Sequence, residues 1–142
     1  RMGITMSTYY LDSNLYISVL SKDRVSALVV ELFSKAESKK VQLTSSALVY
    51  GEVLNAGSAA NHNDVVQFLD VLPVTYAPLD KLIMVQAAKL RIENTALKLP
   101  DAIHLATAII GQCDMFLSED KQLVKMAKKY IAGESVLSVV HK

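Results

Sequence analysis

The sequence predicts a single three-layer α/β/α domain, in which helices cover both faces of a central, mostly parallel sheet. Short apolar runs of strand length alternate with longer segments whose apolar residues recur at helical spacing, a pattern typical of α/β proteins. Of the 142 residues, 51% are hydrophobic, which is enough for one substantial core. No repeat or Gly-, Ser- or Pro-rich linker divides the chain. We therefore expect one domain over residues 6–142, with residues 1–5 as a leader.

The first half of the chain is predicted to contain three strands and four helices. Val25, Leu28 and Leu32 recur at helical spacing and define the longest of these helices. Ser13 and Asn14 follow Asp12, which closes an apolar run, and both are residues that commonly open helices. The predicted order is strand 8–11, helix 15–20, helix 24–39, strand 41–45, helix 47–60, helix 64–69 and strand 71–76.

The second half is predicted to add three helices and two strands. Pro100 favours the first turn of a helix, and Gly111 ends the same apolar helix. Ser118 follows a short apolar run and is placed to cap the next helix. The predicted order is helix 80–93, helix 100–110, strand 115–118, helix 119–129 and strand 136–139.

Four acidic residues stand near the ends of strands or the beginnings of helices. Asp12 closes the first predicted strand, Asp120 follows a later strand, and Asp101 opens a helix. Glu52 lies inside a helix that follows another strand. Right-handed crossovers bring the carboxyl ends of parallel strands to one edge of a sheet, and ligands collect where the strand order reverses. We therefore expect the four carboxylates to reach one place.

Taken singly, these acids have ordinary explanations. An Asp in the first turn of a helix interacts favourably with the helix dipole, by about 0.3 to 1 kcal/mol, and a helical Glu is commonly solvated. Taken together, four neighbouring carboxylates would repel one another, so the cluster predicts a bound cation or raised pKa values. Oxygen ligands suit Mg²⁺ or Mn²⁺. The set is therefore a candidate metal site.

The charge balance excludes a broad cationic surface. The chain has 15 basic and 14 acidic residues and a formal net charge of +1, so contact with a nucleic acid has to be local. The candidate donors for such contact are Lys22, Arg24, Arg91, Lys98 and Lys121. A further group, which equally suits the C-terminal end of a helix, is Lys125, Lys128 and Lys129.

The cysteine and histidine content narrows the chemistry further. Cys113 is the only cysteine, so an intrachain disulfide is impossible and a Cys/His zinc site is not indicated. His62, His104 and His141 are scattered, and His104 inside an apolar helix is expected to be packed and hydrogen-bonded. No apolar stretch approaches the roughly 18 to 20 residues that cross a bilayer, and no signal-peptide pattern begins the chain. We expect a cytoplasmic protein without a membrane partner.

Four segments of the chain together form a recognisable pattern. The most specific is Pro-Asp-Ala-Ile-His-Leu-Ala, which begins at Pro100. The others are Leu11-Asp12-Ser13-Asn14, Glu52 in a helix after a Ser-rich turn, and Phe116-Leu117-Ser118-Glu119-Asp120. In order and spacing, over residues 8–139, they resemble the PIN-domain family, particularly the VapC-type toxins of toxin–antitoxin pairs. Ser13 and Ser118 stand where that family often has Thr, and each keeps the hydroxyl.

The resemblance implies a PIN-like fold and a metal-dependent endoribonuclease. In the family pattern, Asp12, Asp101 and Asp120 would hold one or two Mg²⁺ or Mn²⁺ ions, while Glu52 would be a further ligand or orient the attacking water. The hydrogen-bonding support would come from Ser13, Asn14 and Ser118. Glu119 beside Asp120 leaves two candidates for the fourth acid, of which Asp120 fits the motif position. The implied partners are an RNA substrate, a cognate antitoxin and a second copy of the chain in a homodimer.

Three other interpretations of the acids compete with this one. A phosphoacceptor receiver domain would need an acceptor Asp on a middle strand, and residues 71–76 contain none. A haloacid-dehalogenase-like phosphatase would need a second Asp where Asn14 stands. The remaining alternative is a catalytically silent PIN-fold module that binds RNA or protein. The presence of all four acids argues against that alternative.

Overall fold

The computed structural model describes residues 6–56 and 61–136, which form a five-stranded sheet with helices on both faces. The described strands are β1 Ser7–Leu11, β2 Val41–Ser46, β3 Thr75–Ala77, β4 Met115–Leu117 and β5 Ala132–Glu134. The described helices are α1 Ser13–Ser21, α2 Ser26–Glu37, α3 Leu48–Ala56, α4 His62–Val71, α5 Lys81–Glu93, α6 Leu99–Ile110 and α7 Lys121–Ala127. All pairings between these five described strands are parallel. The predicted three-layer α/β/α class is confirmed.

The strand order places β1 at the centre of the sheet. The order is β3-β2-β1-β4-β5, so the chain moves outward to β3 on one side of β1 and then returns to build the other side. The order therefore reverses between β1 and β4, whose last residues Leu11 and Leu117 are partners in register. The Asp12 amide continues this contact by donating to the Leu117 carbonyl at 3.0 Å. The residues that follow β1 and β4 consequently lie side by side at the switch point.

Adjacent residues of β1 point into two separate cores. Leu11 packs with residues of α1 to α4 on one face of the sheet, including Tyr16 and Leu32. Tyr10 packs with residues of α5 to α7 on the other face, including Leu105. This alternation follows from the two-residue period of a strand. Since β1 is covered on both faces, the carboxyl end of this strand, which leads into Asp12, is held firmly in place.

Two predicted strands are displaced in the structure. Strand 71–76 is instead β3, Thr75–Ala77, because Val65, Phe68 and Leu72 pack against the core at helical spacing and extend α4 to Val71. The predicted strand 136–139 is wrong at Val136, which lies beyond β5, and its remaining positions fall outside the described residues. The last strand among the described residues, β5, contains Gly133, and the weak strand propensity of glycine explains why the sequence did not predict it.

The helices begin and end close to their predicted positions. The predicted helix 119–129 begins later in the structure, at Lys121, because its N-cap is Asp120 rather than Ser118. The helix predicted over 47–60 is observed as Leu48–Ala56, and 57–60 lie outside the described residues, as do residues 1–5. Within the described ranges, no helix is long and apolar enough to cross a membrane.

Candidate active site

Asp12 occupies the switch point with both carboxylate oxygens engaged. It is 6% exposed and is the N-cap residue of α1. Its Oδ1 accepts from the Ser13 amide at 2.8 Å, and its Oδ2 accepts from Ser118 Oγ at 2.7 Å and Asn14 Nδ2 at 3.2 Å. Burial raises the pKa of Asp12, while His104 and the hydrogen bonds from Ser118 and Ser13 lower it by less, so the net shift is upward. The carboxylate is thus oriented but costly to ionise.

Ser118 links the ends of β1 and β4. Besides donating to Asp12, its Oγ accepts from Asn14 Nδ2 and from the Asp120 amide, each at 3.0 Å. The Ser118 hydroxyl therefore hydrogen-bonds Asp12, Asn14 and Asp120 instead of capping α7, whose N-cap is Asp120. This explains why the predicted cap was wrong. The three polar residues expected to support the acids, Ser13, Asn14 and Ser118, all hydrogen-bond Asp12.

Glu52 reaches the same site from α3. Its Oε1 accepts from Ser13 Oγ and lies against His104 Nε2, each at 2.5 Å. Burial raises the pKa of Glu52, but the hydrogen bonds from His104 and Ser13 outweigh this effect, so the pKa is lowered. Glu52 is half-buried. Its carboxylate is therefore held in the charged form next to Asp12.

His104 connects two of the acids and was not predicted as a site residue. It is fully buried, and its Nε2 lies 3.1 Å from Ser13 Oγ and 3.6 Å from Asp12 Oδ1. Burial lowers the pKa of the imidazole, but the contact with Glu52 and the charge of Asp12 raise it by more. The expectation that His104 is packed and hydrogen-bonded is confirmed. The signal for its place in the site was its position one helical turn after Asp101 on α6.

Tyr10 fixes the other side of the His104 ring. The Tyr10 hydroxyl lies 2.6 Å from His104 Nδ1 and accepts from the Ser46 amide at 3.0 Å. Because the amide can only donate, the Tyr10 hydroxyl has its own proton to donate to Nδ1. A neutral ring that accepts this hydrogen bond carries its own proton on Nε2 and donates it to Glu52, whereas the imidazolium, which the raised pKa of His104 favours, donates from both ring nitrogens. A buried hydrogen-bonded chain therefore runs from Ser46 through Tyr10 and His104 to Glu52.

Asp101 and Asp120 line one cavity beside this network. Asp101 lies in the first turn of α6, and Asp120 caps α7 by accepting from the Gln122 and Leu123 amides at 3.0 and 3.1 Å. Together with Lys98 they line a cavity of about 200 Å³. Burial and the charge of Asp12 raise the pKa of Asp101, His104 lowers it by less, and Asp120 and Glu52 raise it further.

The structure distinguishes Glu119 from Asp120. The Oε2 atom of Glu119 accepts from the Val136 amide at 3.0 Å, which ties this carboxylate to the segment after β5. Asp120 instead shares the cavity with Asp101 and contributes to its electrostatics. Of the two candidates for the fourth acid, Asp120 is the one brought to the others.

The acids are coupled electrostatically but do not form a closed ligand cage. Asp12, Glu52 and Asp120 all act on the pKa of Asp101. Within residues 6–56 and 61–136, however, no three His, Cys, Asp or Glu side chains come together closely enough to hold an ion directly. The donor chemistry is that of oxygen ligands, which hard divalent cations prefer.

The fold and these acids define a class of protein, namely an α/β domain that gathers carboxylates at the switch point of a parallel sheet. The sequence profile of the PIN domain matches residues 9–129. The chain belongs to the PIN-domain family. PIN domains are generally nucleases and typically use divalent metals.

Several solved structures share this fold. VapBC2 from Rickettsia felis, bound to a promoter DNA fragment, gives a TM-score of 0.68 at 13% identity and covers 90% of this chain and 98% of that chain. FitAcB from Neisseria gonorrhoeae gives 0.65 at 17% identity, with coverages of 91% and 98%. PAE2754 from Pyrobaculum aerophilum gives 0.62 at 15% identity, with coverages of 98% and 96%. Similarity at these identities shows the fold. No curated protein sequence matches the chain significantly.

Proposed function

We propose that this PIN domain is a metal-dependent endoribonuclease and the toxin of a VapBC-type toxin–antitoxin pair. The observation that carries the proposal is the convergence of Asp12, Glu52, Asp101 and Asp120 at the switch point, where the charges of Asp12, Asp120 and Glu52 all raise the pKa of Asp101. Carboxylates that repel one another in this way favour a cation between them. The family membership supports the same conclusion.

The donor set fits Mg²⁺ or Mn²⁺, with Asp12, Asp101, Asp120 and Glu52 as the residues that would hold it. Because the carboxylates do not close a cage, such an ion would have few direct protein ligands and keep several waters, as Mg²⁺ usually does. A bound divalent ion supplies an activated water and stabilises charge on the phosphate during attack.

The chain's own residues prepare the site for this reaction. Ser118 and Asn14 fix Oδ2 of Asp12, so this oxygen keeps one orientation. Ser13 and His104 hold Oε1 of Glu52, and no described residue bonds its Oε2. The lowered pKa of Glu52 keeps that free oxygen charged. Glu52 is thereby suited to orient a water or accept its proton.

The partners follow from the same assignment. We propose that a cognate antitoxin binds the chain. The support is that proteins with the same fold, including one from Klebsiella pneumoniae, are found in toxin–antitoxin complexes. We also propose a homodimer through α5. Leu82, Val85 and Ile92 lie on one face of α5, opposite the buried Ile83 and Ala87, and are 63%, 47% and 79% exposed. Exposed apolar residues grouped in this way are typical of a contact surface.

Cleavage of a panel of single-stranded and hairpin RNAs tests the function. The wild type is compared with Asp12→Asn and Asp101→Asn, with Mg²⁺ or Mn²⁺ and with EDTA. Asp80→Asn is the matched control, because Asp80 caps α5 through the Ile83 amide but lies outside the site. We expect metal-dependent cleavage by the wild type and by Asp80→Asn, and a loss of at least about 100-fold in the two site variants.

Equal cleavage by all four proteins would identify a contaminant and contradict the assignment. The silent alternative, a PIN-fold module that binds RNA or protein without cutting, predicts a different result. In that case no RNA is cut, and Mg²⁺ gives the wild type no thermal stabilisation beyond that seen with Asp12→Asn.

A further inference from the structure

A cleft on the far side of α7 from the acidic cavity concentrates positive charge. It has a volume of about 290 Å³ and lies between the turn that joins α1 to α2 and the helix α7. Its basic lining residues are Arg24, Lys121, Lys125 and Lys128. All four are exposed, and no described residue forms an ion pair with any of them. We refer to this feature as the α7 cleft.

The helix dipole explains only part of this cluster. Lys125 and Lys128 lie at the C-terminal end of α7, where a positive charge is favourable. Lys121 is the first residue of the same helix, where a positive charge is unfavourable, and Arg24 comes from a distant segment of the chain. The acidic member of the lining, Glu119, leaves an excess of three positive charges in a chain whose net charge is +1. The clustering therefore points to an anionic ligand.

The α7 cleft adjoins the candidate active site. Ser118 is part of its lining, and Ser118 Oγ donates to Asp12 Oδ2 at 2.7 Å. On its other side, α7 contributes Leu123 to the acidic cavity, where Lys98 is the one basic residue among the described lining residues. Positive charge is thus strongly asymmetric about the acids. A polyanion centred on Asp12 would be held far more firmly on the α7 side.

The lining favours a nucleic-acid strand over a protein segment. Val124 is the one apolar residue among the residues described at the cleft, whereas protein interfaces usually have an apolar centre. Flexible lysine ammonium groups contact phosphates as point charges without reading sequence. The ligand chemistry indicated is a phosphodiester backbone.

We propose that the α7 cleft binds the phosphates of the RNA substrate on one side only of the scissile bond. This inference rests on the proposed nuclease function and specifies how its substrate lies. Binding there is independent of base sequence and sensitive to salt, since each neutralised phosphate releases counterions. Sequence preference would have to arise elsewhere along the strand.

The binding experiment uses Lys125→Gln/Lys128→Gln in an Asp12→Asn background, with EDTA to prevent cleavage. The probe is a labelled oligouridylate of about 20 nucleotides, longer than the site size of a typical single-strand binding domain. The matched control is Lys35→Gln/Lys40→Gln, in which Lys35 lies in the last turn of α2 and Lys40 lies in the turn before β2. We expect the α7 double variant to bind more weakly, with a salt slope reduced by about 0.7 for each phosphate that the cleft no longer neutralises. The control should bind like its parent.

A kinetic experiment tests the one-sided path. An RNA that the wild type cleaves is shortened from its 5′ or its 3′ end, and KM is measured with and without Lys125→Gln/Lys128→Gln. The variant should raise KM for the full RNA, and this effect should vanish when one particular flank, and not the other, is removed. An effect that persists with either flank removed would overturn the one-sided path.

The outcomes separate this inference from the proposed function. Unchanged oligouridylate binding in the α7 double variant overturns the inference, even if the wild type cuts RNA. If the α7 double variant binds oligouridylate more weakly but the wild type cuts no RNA, the result supports phosphate binding in the α7 cleft and contradicts the proposed nuclease function. If the variant loses affinity for polyglutamate but not for oligouridylate, the cleft takes an acidic protein segment and the inference is overturned.

Discussion

Among single residues, Asp12 shows most clearly that the site is more than a helix cap. Asp80 caps α5 with one hydrogen bond, from the Ile83 amide. Asp12 caps α1 through Oδ1 and has two further donors, Ser118 and Asn14, on Oδ2. Helix capping accounts for the hydrogen bond to Oδ1, but it does not account for the two hydrogen bonds to Oδ2. The additional bonds are what a carboxylate needs when its orientation matters for binding.

The residue-scale prediction concerns Asp101 in the absence of metal. Asp101→Asn should raise the free energy of unfolding at neutral pH, because burial and Asp12 raise the pKa of Asp101 and make its ionised form unfavourable in the fold. This penalty is present above the folded-state pKa and disappears as the pH falls below the unfolded-state value. The stability difference between the variant and the wild type should therefore shrink from about pH 7 to about pH 4. Thermal unfolding of both proteins in EDTA, over this pH range, measures the stability difference.

Asp64→Asn provides the control for this prediction. Asp64 also lies in the first turn of a helix, α4, but is exposed and outside the site. Its replacement should lower stability by about 0.3 to 1 kcal/mol, because the variant has no charge to interact with the helix dipole. If Asp101→Asn is destabilising to the same extent, the repulsion among the acids is not significant.

At the scale of elements, local signals predicted the site better than they predicted the sheet edges. Asp12 and Asp120 follow apolar runs, and this local pattern placed both at the switch point. Glu52 sits inside a helix, so it was included in the set only because that helix follows another strand of the sheet. The partner of His104, Tyr10, is 94 residues away in sequence, so no local pattern reveals that contact.

The outer strand β5 was misplaced for a tertiary reason. Gly133 lies beside Phe116 of β4, under α7. A Cβ atom there would lie 3.1 Å from the Val124 carbonyl oxygen, so the close approach of the helix determines the residue. Strand propensity reflects packing of side chains, and this position has no side chain to pack.

The element-scale prediction compares two glycines. Gly133→Ala should lower the free energy of unfolding by roughly 1 to 3 kcal/mol, because the added methyl group must displace α7. Gly51→Ala should raise it by roughly 0.5 to 1 kcal/mol, since Gly51 lies in α3 with nothing within 4 Å of the added Cβ position. Urea unfolding of both variants measures the difference. Equal effects of the same sign would contradict the close packing of β5 under α7.

For the molecule as a whole, the strand order explains why distant segments share one site. The reversal between β1 and β4 brings together the residues that follow Leu11 and Leu117. It also sets the acids at the junction between the basic α7 cleft and the acidic cavity. The small net charge of the chain conceals this separation, because composition does not report where charges lie.

The proposed dimer gives the prediction at this scale. Leu82, Val85 and Ile92 form an exposed stripe on α5, and the aliphatic stem of Lys89 lies on the same face. Placing a charge at its centre with Val85→Lys should convert a solution dimer to a monomer without unfolding it, since burying an unpaired ammonium is strongly unfavourable. Val71→Lys is the control, because Val71 is 68% exposed at the end of α4, away from the stripe. Light scattering over a range of concentrations should show a dimer for the wild type and Val71→Lys only; a dimer that persists in Val85→Lys would place the interface elsewhere.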